Sequence, residues 1–233
     1  MSIVIIDCYV DGVGYPNFVS ILESLTNQTL CVWQVAKEPC HIDISKVKGI
    51  VISGSAASVV AEQSLFPWLP TLEQFLQDAI ALGIPCFGIC FGHQILAKLC
   101  GANVGHLLVN DRRVPEVGWK TLQHVDHSVF QGIPSTFEAF LSHEDAVLSL
   151  PKDCEILASS QQCAIQSFRH HHKAIWGIQF HPEMPKDECL SLLQWRLQRH
   201  PDLLVEMAKE ERMIQSNPLR FQFFTNFLNM CAL

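Results

Sequence analysis

Charge is scarce in this sequence. Only 17% of its 233 residues are Asp, Glu, Lys or Arg, and the 16 basic residues are outnumbered by 23 acidic ones, for a net charge of −7. A surface of that sign attracts neither a phosphate backbone nor an anionic lipid face, so no nucleic acid and no membrane is expected as a partner. No apolar run reaches the roughly 18 residues of a membrane-spanning helix, and no basic, apolar, small-residue signal pattern is present. The ten cysteines show no paired C-x-x-C spacing, which argues against a zinc site or a disulfide framework. Scattered in this way they read as reduced, mostly buried thiols, and the expectation is a soluble cytoplasmic protein with no metal and no cofactor. A Gly-x-x-x-x-Gly-Lys-Ser/Thr phosphate loop is missing as well.

Apolar residues are plentiful, at 48%, and the length suits one large α/β domain or a domain with a small extension. Ile3-Val4-Ile5-Ile6-Asp7 is an apolar run ending in a polar residue, as expected of a central parallel strand covered on both faces, and Leu30 to Val35 and Gly49 to Ile52 read as the second and third strands. Helical spacing separates them, over Pro16 to Leu25 behind a loop containing Gly12 and Gly14, and over Trp68 to Leu82 with Gly83 at the C-terminal cap. Strands alternating with helices predict a doubly wound, mostly parallel sheet. Between Val104 and Phe168 the runs are shorter, at 107–109, 121–125, 137–141 and 164–168, and predict antiparallel additions. Arg169-His170-His171-His172-Lys173 resembles a metal tract, but its place between two strand runs favours a solvated hairpin turn.

The chemistry is concentrated in Gly88-Ile89-Cys90-Phe91-Gly92-His93-Gln94. The strand-like Ile84 to Phe87 precedes it and helical spacing follows, which makes Gly-x-Cys-x-Gly a strand-elbow-helix, the thiol analogue of a nucleophile elbow. A sharp bend leaves no room for side chains at Gly88 and Gly92, and a thiol at a helix N-terminus is favoured as thiolate by the helix dipole. Far along the chain, the buried strand pattern Ala174 to Phe180 runs into His181-Pro182-Glu183. Residues two apart in extended chain share a side, so Glu183 can stand behind His181. A Cys, a His to take its proton and a Glu to hold the His form a nucleophile-base-orienter set.

These two motifs, in this order, resemble the class I glutamine amidotransferase family of the triad type, over roughly residues 1 to 185. With Ser53-Gly54-Ser55 and no attached synthetase segment, the sequence is similar to free-standing members, including γ-glutamyl peptidase-like proteins and stand-alone relatives of the GMP synthetase amidotransferase domain. The resemblance implies Cys90, His181 and Glu183 as catalytic residues. It implies an oxyanion hole built from the backbone amides of Phe91 and Ser55, and contacts to substrate from Gly54, Gln94, Ser142 and His143. Two departures stand out. Gly54-Ser55-Ala56 occupies the place of Gly-Gly-Pro, and Ser142-His143-Glu144-Asp145 that of Ser-His-Gly-Asp. The implied substrate is glutamine or another γ-glutamyl compound, cleaved through a γ-glutamyl thioester. A separate synthase subunit that takes up the ammonia, or a non-catalytic binding protein of the same fold, are the alternatives.

Residues 186–233 read as a helical extension, with helices over 188–198, 202–214 and 219–230 punctuated by Pro201 and Pro218. In the last, Leu219, Phe223, Phe224, Phe227 and Leu228 form one apolar stripe. Two destinations are open for it: the flank of the chain's own domain, or a dimer or partner surface.

Overall fold

The computed structural model describes residues 1–10, 18–109, 112–199, 214 and 218–231. Along the chain these form β1 (Ser2–Asp7), α1 (Phe18–Leu25), β2 (Thr29–Gln34), β3 (Val47–Ile52), α2 (Leu69–Ala81), β4 (Cys86–Ile89), α3 (Phe91–Leu99), β5 (Asn103–His106), β6 (Leu108–Val109), β7 (Arg112–Arg113), β8 (Glu116–His124), β9 (Thr136–His143), β10 (Asp145–Ser149), β11 (Cys154–Ser160), β12 (Ser167–His170), β13 (Ile175–Ile178), α4 (Lys186–Arg199) and α5 (Gln222–Cys231). A nine-stranded sheet runs in the order β2-β1-β3-β4-β13-β12-β11-β8-β9. Its first five strands pair in parallel, and the pairings from β13 outward to β9 are antiparallel. The architecture is therefore α/β, with a parallel core and antiparallel additions.

The unbroken apolar runs of the central strands reflect burial on both faces. Ile3, Ile5, Val51, Phe87 and Ile89 pack with residues of α1 and α5, while the alternate residues Val4, Ile6, Ile50, Ile52 and Cys86 pack with α2 and α3. The α5 stripe is used inside the chain: Phe223, Phe224 and Phe227 have no exposed surface. Phe227 stacks on Phe87 of β4 with centroids 5.4 Å apart, and Phe223 meets Phe180 edge-on at 5.2 Å. Of the two destinations the sequence left open, the chain's own core takes Phe223, Phe224, Phe227 and Leu228 of the stripe.

Several boundaries differ from the sequence pattern for identifiable reasons. The strand expected at 121–125 begins at Glu116, because this fully buried carboxylate accepts hydrogen bonds from Ser160 Oγ and Gln166 Nε2 and contacts His143 Nε2 at 3.0 Å. A charged residue with that many partners can occupy a core strand, although alone it reads as a strand breaker. Strands β5, β7, β10 and β11 have no counterpart among the runs read from the sequence; β11 carries Ile156 outward, 43% exposed, which blurs its alternation. The run expected at 164–168 becomes β12, which starts at Ser167 and continues to His170. The His tract is indeed the β12–β13 turn, where His170 Nδ1 accepts from the backbone N–H groups of His172 and Lys173. The Gly12/Gly14 loop, the first turn from Pro16, and the helix expected at 202–214 apart from Ile214 lie outside the described residues. The helix expected at 219–230 is a 3-10 turn over Pro218–Phe221 followed by α5. No described helix is long and apolar enough to cross a membrane.

Candidate active site

Between β4 and α3 the chain turns through a single residue, Cys90, with φ 51° and ψ −101°. It is the one non-glycine residue with positive φ among those described, a conformation that costs about 1–3 kcal/mol and must be held by its surroundings. Gly88 and Gly92 make the bend possible by close approach. A Cβ on Gly88 would fall 2.2 Å from the carbonyl carbon and oxygen of Gly92, and one on Gly92 would fall 2.6 Å from the backbone oxygen of Ile52. The bend is fastened at both sides: the Cys90 N–H donates to Ile178 O at 2.8 Å, and the Gln94 N–H donates to Cys90 O at 3.0 Å.

That first bond shows why residues 90 and 181 meet. β13 lies beside β4 in parallel, with Gly177 opposite Gly88 and Ile178 opposite Ile89. Neighbouring parallel strands end on the same edge of the sheet, so the turn after β13 delivers His181 to the elbow after β4. The His181 N–H donates to Phe140 O of β9 at 3.0 Å. Its Nδ1 lies 2.7 Å from Glu183 Oε1, so the opposite ring nitrogen, Nε2, is the one that meets Cys90, with which His181 shares a side-chain hydrogen bond. Both His181 and Glu183 are buried, at 4% and 0% exposure. Burial is the largest single influence on the His181 pKa and lowers it. The negative charges of Glu183 and Cys90, with the hydrogen bonds to both, outweigh it and raise the pKa to about 10. The imidazole nearest the thiol in sequence, His93, behaves in the opposite way: fully buried with its ring against Phe168, it is pushed by desolvation down to about 3.

Two groups support Glu183 that the sequence motifs did not reveal. Tyr9 Oη donates to Glu183 Oε1 at 3.2 Å, and Arg220, just ahead of α5, donates from Nη1 to the Glu183 carbonyl at 2.9 Å. Neither stands in a recognisable motif, and both come from segments remote in sequence.

Ser53, Gly54 and Ser55 follow β3 and face the elbow. Ser55 Oγ donates to Cys8 O at 2.7 Å and accepts from the Ala57 N–H, while the backbone N–H groups of Ser55 and Phe91 have no protein acceptor among the described residues. A Cβ on Gly54 would sit 3.2 Å from His181 Cε1. Ser55, Cys90, His181 and Ser142 line one cleft of about 260 Å³, together with Met184 and residues of α4. Gln94 and His143 do not line it. Gln94 Nε2 donates to Asp145 O at 2.7 Å and Gln179 Oε1 at 3.1 Å, and His143 is held between Asp145 O and Glu116. Both side chains are thus engaged with groups inside the protein. Sequence patterning also missed Arg196 of α4, whose Nε donates to Ser142 Oγ at 3.2 Å. Among the described residues no group of three or more His, Cys, Asp or Glu side chains could hold a metal ion.

Residues 4–190 match the family model for glutamine amidotransferase class-I. The chain belongs to that family. Among its relatives, a GMP synthase (glutamine-hydrolyzing) subunit from Methanobrevibacter smithii is 40% identical over 168 residues, covering 72% of this chain and 76% of that protein. The GMP synthase (glutamine-hydrolyzing) of Caldicellulosiruptor saccharolyticus is 33% identical over 141 residues, which span 60% of this chain but only 25% of that protein. In fold, the chain is similar to the crystal structure of a glutamine amidotransferase from Thermotoga maritima, with a TM-score of 0.79 at 22% identity, covering 99% of this chain and 98% of that one. The amidotransferase family model stops short of α5 and of Arg196 and Arg220, so these contributions to the cleft and to Glu183 lie outside the matched span.

Proposed function

We propose that the protein hydrolyses the γ-amide bond of glutamine or of another γ-glutamyl compound, with Cys90 as nucleophile, His181 as proton carrier and Glu183 as the charge that holds it. The observation that carries this reading is the hydrogen-bonded series Cys90, His181, Glu183, with Cys90 on a strained elbow in the wall of a cleft. The proton that Cys90 Sγ gives up is held on Nε2 of His181, whose raised pKa favours the protonated imidazole. The Cys90 sulfur adds to the γ-carbonyl, and the oxyanion is met by the amides of Phe91 and Ser55. Collapse of the tetrahedral adduct breaks the C–N bond, and His181 hands its proton to the departing amine. Water, deprotonated in turn by His181, then cleaves the thioester to release glutamate. In this reading residues 1–185 carry the chemistry and residues 186–233 are an extension that completes the cleft. Ten free thiols fit a reducing, cytoplasmic setting.

A second reading is favoured by the names of the relatives: the protein is the amidotransferase half of a two-chain enzyme, and the ammonia goes to a separate synthase. One experiment separates the two. Purified protein is assayed for release of glutamate from glutamine and from a panel of γ-glutamyl peptides, alone and with an ATP-dependent GMP synthase partner present. Hydrolysis by the protein alone, abolished in Cys90→Ala, supports the first reading. Hydrolysis only with the synthase replaces it with the second, and no turnover in either condition leaves a binding protein of the same fold.

A further inference from the structure

The helix α4 supplies much of one side of the cleft, through Glu188, Ser191, Leu192, Trp195 and Arg196. Arg196 is the one Lys or Arg among the described residues lining it, and its side chain is only 17% exposed. Its plane is fixed twice: Nε donates to Ser142 Oγ at 3.2 Å, and Nη1 donates to Glu144 Oε1 at 2.5 Å. A guanidinium carries five N–H donors, so these bonds orient it without exhausting it. Ser142 stands two residues along β9 from Phe140, whose carbonyl fastens the His181 backbone. Arg196 and His181 are therefore both tied to β9, one through a side chain and the other through its backbone. Met184, Leu192 and Trp195 make the nearby wall largely apolar, where an anion without a partner is unfavourable and a guanidinium fork is its best complement.

We propose that Arg196 reads the α-carboxylate of the γ-glutamyl substrate, a specificity role that rests on the γ-glutamyl reading of the Cys90 site. Such a substrate presents a neutral γ-carbonyl at one end and a carboxylate beside an ammonium at the other. The cleft offers the reacting thiol and one oriented cation, with the carboxylate of Glu188 also in the lining to complement the ammonium. Glu144, at the place where the family resemblance has Gly, is the acid that holds Arg196 ready. The residue and its holder thus act as a pair that neither motif region contains alone.

The test is Cys90 labelling, which needs no turnover. A chloroketone built on the glutamyl skeleton alkylates the thiol, forming the S–C bond as chloride leaves; its counterpart lacking only the α-carboxylate serves as the comparison. Wild type should react about 10- to 100-fold faster with the carboxylate-bearing reagent, the range expected for one charge-assisted contact. In Arg196→Met the ratio should fall to within about threefold, with Arg196→Lys between the two. Iodoacetamide, which has no glutamyl part, should label all three proteins alike and reports an intact site. An unchanged ratio in Arg196→Met, or no discrimination by wild type, overturns the assignment. A protein that labels with the expected ratios yet hydrolyses nothing keeps the assignment and loses the hydrolase reading. No labelling of Cys90 by either chloroketone overturns both.

Discussion

Replacing Glu183 by Gln isolates what its charge does for His181. The change is isosteric, and Gln can still present an oxygen to His181 Nδ1, 2.7 Å away, and to the Tyr9 hydroxyl. What disappears is the negative charge that, with that of Cys90, holds the imidazole pKa at about 10 instead of 6.5 against a burial effect of opposite sign. At 1.36 kcal/mol for each pKa unit, that elevation is on the order of 5 kcal/mol, shared between the two charges. In Glu183→Gln burial gains weight, and His181 should lose its proton at much lower pH. Imidazole NMR of the two proteins should show a resonance that stays protonated through neutral pH in the wild type and titrates within or below the neutral range in the variant. The folded wild type holds a proton that the unfolded chain releases above pH 6.5. This share of stability is therefore complete below 6.5, declines as pH rises, and is gone above about 10. Denaturation midpoints should fall over that window in the wild type and less steeply in Glu183→Gln. With the imidazolium no longer favoured, kcat/KM should drop by about 10²- to 10⁴-fold. A variant whose His181 titrates as in wild type, or whose kcat/KM stays within a few-fold, would refute the electrostatic role given to Glu183.

Other parts of the site and its support make separate predictions. Gly92→Ala places a Cβ 2.6 Å from Ile52 O and 2.9 Å from Ile52 Cβ, and should destabilise the protein by about 1–3 kcal/mol in urea titrations while slowing Cys90 alkylation. Phe227→Ala removes a fully buried ring stacked on Phe87 and should cost about 3–5 kcal/mol by the same titration, although α5 lies beyond the span matched by the family model. Arg220→Met removes the donor to Glu183 O. It should lower kcat about 3- to 10-fold with KM little changed, a loss typical of one hydrogen bond that acts through the orienting residue.

The parts of this protein legible from sequence are those where a local pattern has only one structural outcome. A run such as Ile3 to Ile6, wholly apolar, is a strand covered on both faces. Gly-x-Cys-x-Gly between a strand pattern and a helix pattern is an elbow, because only glycine fits where Gly88 and Gly92 touch backbone. His181-Pro182-Glu183 at a strand end sets an imidazole against a carboxylate by spacing alone. Tertiary structure decided the rest. The meeting of Cys90 and His181 is a consequence of β13 inserting beside β4, a pairing between strands 89 residues apart at Cys86 and Ile175. Glu116 could enter a core strand only because His143, Ser160 and Gln166 arrive from three other places to solvate it. Tyr9, Arg196 and Arg220 carry no local signature, since a side chain's use depends on what packs against it, and their partners lie tens to hundreds of residues away. The aromatic stripe of α5 shows the same limit: periodicity marks a face that must be buried, and only the folded chain shows that Phe87, Phe130 and Phe180 are what bury it.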